Sequence, residues 1–140
     1  MENQNALYDR AAGMLKVHGI LSIVFGGLGV LMALFFISIM FITSTAYESF
    51  NRFDGSSLGI FLVSIIFFVF WTLPHIYLIV SGLYLTRQPS PRIAKTLVII
   101  NLIIGVFWNY VLLVFAIINL TQIADYQKGR HVSHKHTKKD

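Results

Sequence analysis

The chain has 140 residues, of which 56% are hydrophobic and 12% charged, with a net charge of +5 and no cysteine. Ordinary soluble domains carry roughly 25% charged residues, so a water-facing globule is a poor fit. The missing cysteines exclude disulfide frameworks, thiolate metal sites and membrane thiol-redox chemistry together. In a soluble protein a +5 charge would point to nucleic acid, but here its placement along the chain says more than its size.

The first sixteen residues are polar, with Leu7, Ala11, Met14 and Leu15 in a loose helical pattern. They predict a short interfacial helix that leads into the membrane. Residues 17–42 then run for 26 positions without a formal charge. About 20 apolar residues cross a ~30 Å hydrocarbon layer, and a secretory signal core is only about 7 to 15 residues long, so this is a retained span. Within it Gly19, Ser22, Gly26, Gly29 and Ala33 recur at offsets of 3 and 4, a one-faced stripe of small residues where another backbone can approach closely. The stripe is a packing seam. Its partner is either the second span of the same chain or the first span of another copy.

Residues 43–57 form an outer loop, where Tyr47, Phe50 and Phe53 suit the headgroup boundary. The second span, residues 58–86, is again free of charge for 29 positions. It contains the adjacent pair Pro74 and His75. The proline removes a backbone donor and crowds the Phe70 carbonyl, predicting a kink that Thr72 helps to satisfy. Ser64, Trp71, His75, Leu78 and Gly82 share one face, so His75 is expected to look inward and to bond Asn101, Asn119 or a carbonyl.

A turn at residues 87–92 carries Arg87, Pro89, Pro91 and Arg92. The last apolar stretch, residues 93–124, has 32 positions. As one straight helix it would measure about 48 Å, which exceeds the membrane core. Charge decides how it folds. Lysine and arginine number two before the first span, one in the outer loop, three around the turn and five in the tail. An even number of crossings after Arg92 puts ten of these on the cytoplasmic side against one outside, as the positive-inside rule favours. The stretch therefore divides into spans at 93–105 and 108–124, with its bend in residues 104–110. A hairpin that enters and returns without emerging satisfies the same count.

The expected fold is thus an all-α membrane protein of four transmembrane helices, the last two a short hairpin, with both termini cytoplasmic. Lys128, Arg130, Lys135, Lys138 and Lys139 form a basic tail, expected to lie unstructured on anionic headgroups. His131, His134 and His136 in that tail are weak metal candidates. No cofactor is expected: a haem held between His18 and His75 fails because the two lie at different depths.

No acid lies within a span, so carboxylate-driven export has no residue to use. Hydrolytic motifs are missing as well, and the chain is read as not an enzyme. Two functions remain. One is an assembly or structural component of a membrane, acting as a homo-oligomer or with a larger partner and not with nucleic acid. The other is a small oligomeric transporter or channel with a polar path past His75, Asn101 and Asn119.

Residues 58–119, and especially the segment "VSGLYLTRQPSPRIAKTLVIINLIIG" at 80–105, resemble a class of small bacterial four-span inner-membrane proteins of unknown function. These have a long span ending in a Gly-Leu-Tyr-like step, a basic proline-containing turn, and a closing hairpin broken at an Asn-Leu segment near glycine. The likeness covers about half the chain, and the bend here lacks the proline that such hairpins carry. The resemblance implies a four-helix fold in a bacterial inner membrane and brings no catalytic or ligand residues.

Overall fold

A computed structural model describes the backbone of residues 2–48 and 56–136, and the side chains of residues 6–43, 59 and 62–127. Four helices follow in order: α1 (Glu2–Glu48), α2 (Ser56–Thr86), α3 (Pro91–Trp108) and α4 (Tyr110–His136). Each contains a stretch long and apolar enough to cross a membrane: Ala6–Thr43, Leu62–Thr86, Pro91–Trp108 and Tyr110–Gln127. The surface agrees with that reading, since large side chains such as Phe35, Phe41, Ile66 and Phe70 are more than half exposed where a soluble protein would hide them. The chain is a multi-pass, all-helical membrane protein.

α1 is the central element, packed against α2 along one side and α4 along another, while α3 rests chiefly on α4. Its 47 residues form one unbroken helix about 70 Å long. The short helix expected before residue 17 is continuous with the first span. Ala11, Ala12 and Leu15 are buried with Leu85, Ala94, Val98, Ala116, Ile123 and Tyr126 in the core of the end that carries the α2–α3 turn.

The α2–α3 turn closes with Gln88 at φ 51°, and the Arg87 and Gln88 amides donate back to Tyr84 and Leu85 carbonyls. Pro91 then sits in the first turn of α3, where its missing N–H costs nothing. The Tyr126 hydroxyl donates to the Pro89 carbonyl at 2.9 Å, and its ring stacks on Tyr8 at 5.4 Å, so α4 is tied both to the turn and to α1.

Helix α3 ends at Trp108 and α4 starts at Tyr110. The residue between them, Asn109, supplies the groups that the break would otherwise leave open. Its amide donates to the Gly105 carbonyl at 3.0 Å, and its side-chain oxygen accepts from the Val111 and Leu112 amides at 3.0 and 3.2 Å. Three of the four leading donors of the junction are thereby satisfied. Gly105 completes the bend, because a Cβ there would lie 2.8 Å from the Leu113 nitrogen. Gly105→Leu is expected to pry the two legs apart, read as faster proteolysis between α3 and α4 in detergent.

α2 runs unbroken through Pro74. Thr72 does not serve the Phe70 carbonyl that the proline frees; its hydroxyl donates to the Phe68 carbonyl at 2.6 Å, two residues earlier. The tail also differs from expectation, since α4 continues as helix to His136. The side chains of Lys128, Arg130, His131, His134, Lys135 and His136, and all of Lys138 and Lys139, lie outside the described residues, as do Phe50 and Phe53.

Candidate functional site: a buried polar cluster around His18

The seam on α1 is filled by α2 of the same chain. A Cβ on Gly19 would lie 2.7 Å from the Gly82 carbonyl oxygen, and one on Gly82 would lie 2.5 Å from that of Gly19. About two turns further along, a Cβ on Gly26 would lie 2.7 Å from the His75 carbonyl oxygen, and nearly a turn beyond it Gly29 leaves the notch that the His75 ring fills. Ala33, also buried, ends the stripe. At such distances only hydrogen fits between the backbones.

Close approach at Gly19 and Gly82 brings their neighbours together. His18, Ser22, Ser81 and Asn101 are fully buried and Asn119 is 1% exposed, and these five residues come from all four helices. The Asn101 amide lies 3.3 Å from His18 Nε2, 3.4 Å from Ser22 Oγ and 3.0 Å from Ser81 Oγ. On the other side of the ring, Asn119 Nδ2 lies 2.9 Å from His18 Nδ1 and 2.9 Å from the Phe115 carbonyl.

Donor and acceptor counting then fixes the arrangement. Asn119 donates one N–H to Phe115 and the other to Nδ1, so Nδ1 accepts and Nε2 carries the proton. Asn101 must therefore turn its oxygen toward His18, a half-rotation that exchanges amide N and O without moving any other atom. Its oxygen then accepts from His18 Nε2–H and the Ser22 hydroxyl, and its N–H donates to Ser81. The Ser81 hydroxyl in turn donates to the Leu78 carbonyl at 3.1 Å. Turning Asn119 instead would set its oxygen against the Phe115 carbonyl, two acceptors face to face.

One acceptor remains over. Asn119 Oδ1 is buried without a partner, and so are Gln122 Oε1, one turn away on α4, and the Tyr77 hydroxyl. A buried polar atom left open costs about 1 to 3 kcal/mol.

His75 stands apart from this cluster. It is 8% exposed, its Nδ1 lies 2.7 Å from the Trp71 carbonyl of its own helix, and its ring stacks on Trp71 at 5.6 Å. Of the partners considered for it, the carbonyl is the one it takes. Asn101 and Asn119 meet at His18, and Ser81, which bonds Asn101, is six residues from His75, about 9 Å along α2. Because His75 links no second helix by hydrogen bonds, His75→Leu should lower stability by less than about 1.5 kcal/mol, a volume-conserving change; thermal unfolding in detergent measures it.

Beyond the His75 level, α1 and α2 enclose a cavity of about 400 Å³ lined by Ala33, Phe36, Met40, Val63, Phe67 and Trp71. Its walls are almost wholly apolar. Comparison with known proteins finds no matching family model, no matching curated protein and no matching solved structure.

Proposed function

We propose that this chain is a non-enzymatic component of a bacterial inner membrane that works by associating with a second copy or a larger membrane partner. Both termini lie on the cytoplasmic side, and the basic end of α4 rests on anionic headgroups. The orientation is supported by the ten-to-one placement of lysine and arginine. The bacterial setting is supported by the resemblance of residues 58–119. The observation that carries the functional reading is how the interior polar groups are used: His18, Ser22, Ser81, Asn101 and Asn119 bond across all four helices and are sealed at 1% exposure or less. A cluster closed in that way joins helices. The seam is likewise occupied within the chain, so a partner has to use the outward faces of the helices.

Crosslinking in native membranes, with a photoreactive residue at Phe35 or Ile66, tests this reading. Adducts at the mass of a dimer or a defined heteromer are expected. Recovery of lipid adducts alone at every outward position would overturn it. A reporter fused after Asp140 checks the orientation separately and should remain cytoplasmic.

The transporter or channel reading draws on one specific observation, the unpartnered acceptors Asn119 Oδ1 and Gln122 Oε1 inside the bundle. It requires conductance in planar bilayers that Asn119→Leu abolishes. The assembly reading requires none.

A further inference from the structure

We infer that the α3–α4 hairpin stops near the middle of the bilayer, so that the surface around its tip, Phe107 and Tyr110, contacts lipid acyl chains and not headgroups or water. The inference begins with the charges. Lys16 on α1, Arg87 just after α2, Arg92 and Lys95 on α3, and Asp125 on α4 all fall at one end of the molecule. From Lys16 to Thr43, α1 then rises 27 residues, about 40 Å, before the next stretch of polar sequence. That length fits one bilayer, counting part of the headgroup zone or a tilt. No second bilayer position suits α1.

The hairpin can be placed on the same scale. Asn101 is level with His18 and Ser22, as their contacts show, and α3 runs parallel to α1. Asn109 is eight residues further on, about 12 Å, which brings the tip to the level of residues 26–30 of α1. That is the midpoint between Lys16 and Thr43. α2 gives the same answer. The Trp108 ring at the tip packs 5.8 Å from Phe70, and α2 continues outward for 14 more residues, about 21 Å, to Ser56.

Were the tip at the outer surface instead, these outer turns would stand in water. They expose Phe35, Phe36, Phe41, Val63, Ile66 and Phe67, each more than half uncovered. Such a surface belongs in hydrocarbon.

A chain reversal at mid-depth must satisfy its backbone from within the protein, and Asn109 meets much of that demand. Its side-chain oxygen accepts from the Val111 and Leu112 amides, its own amide donates to the Gly105 carbonyl, and its carbonyl accepts from the Leu113 amide. The tip also displays what lipid accepts: Phe107 is 73% and Tyr110 78% exposed, and no formal charge lies between Lys95 and Asp125.

The absence of native cysteine makes the test direct. Single-cysteine variants Gly55→Cys between α1 and α2, Ser90→Cys in the α2–α3 turn, and Tyr110→Cys at the tip would be treated with a membrane-impermeant maleimide in intact cells and in inverted vesicles. Gly55→Cys and Ser90→Cys should label from opposite sides, and Tyr110→Cys from neither, at least tenfold more slowly than both. A second measurement leaves the tip untouched: in Trp71→Phe the remaining Trp108 should be quenched most by lipids brominated near the chain ends. Labelling of Tyr110→Cys from outside at the rate of Gly55→Cys, or strongest quenching by bromines near the headgroup, would overturn the inference. The inference holds whichever face the termini occupy, so an exported reporter after Asp140 would sink the proposed orientation alone.

Discussion

Gly82→Leu is expected to abolish the folded state, or to leave it less stable by on the order of 3 kcal/mol or more, at the upper end of overpacking costs. The obstacle is a backbone atom. A Cβ at position 82 would lie 2.5 Å from the Gly19 carbonyl oxygen and 2.8 Å from Ile23, so no side-chain rotation relieves it and the helices must separate. Leucine recovers at most about 1 kcal/mol of helix propensity over glycine, which is too little to offset the clash. Separation at this level also pulls Ser81 from Asn101, and the polar cluster opens with the seam. Gly27→Leu is the matched control, since nothing lies within 4 Å of a Cβ there, and it should be neutral or slightly stabilising. Thermal unfolding of both variants in mild detergent, repeated at several protein concentrations, makes the comparison. A seam within one chain requires the Gly82→Leu loss to be independent of concentration; dependence on concentration would mean the seam joins copies.

His18→Leu should be the most costly of the polar substitutions, at about 2 to 4 kcal/mol. Hydrogen bonds between helices in membranes are each worth only about 0.6 to 1.7 kcal/mol, so the lost bonds to Asn101 and Asn119 explain part of this. The larger share comes from what stays behind, two buried amides whose groups face an alkyl chain. Asn119→Leu removes one of those amides as well as the bond. The double variant should therefore cost less than the sum of the two single ones, with a coupling of about 1 kcal/mol or more, as contacting residues generally show. Strict additivity would mean that His18 and Asn119 do not meet. Set beside the small loss expected for His75→Leu, the contrast separates the histidine that ties helices together from the one that only fills a notch.

The four apolar helices were legible because lipid demands long uncharged runs, and residues 17–42 and 58–86 answer that demand by composition alone. The stripe of small residues on α1 was legible from its offsets, whereas its partner was not, because a glycine face accepts any close backbone. The polar cluster was harder to find. Asn101 and Asn119 stood out as amides within spans, yet they were expected beside His75, whose position in mid-run drew notice. His18 sits two residues from Lys16 and read as a boundary residue; the available signal was its place beside Gly19, since close approach at a glycine forces its neighbour against other helices. Tyr126 was missed for a related reason. It falls where apolar sequence gives way to the basic tail, and only the continuation of α1 to Glu2 gives its ring a partner in Tyr8. Asn109 lay within the expected bend, but composition could not tell that one side chain would satisfy two amides.

The end of the molecule that carries the α2–α3 turn is four helices wide and the opposite end, past the tip of the hairpin, only two. A body of that outline takes up more area in one monolayer than in the other. Lipids pack around such a taper with least strain where the sheet bows so that the crowded monolayer lies on the convex side. The short reach of α3 and α4 inferred above would thus give the chain a preferred membrane shape, independent of any ligand.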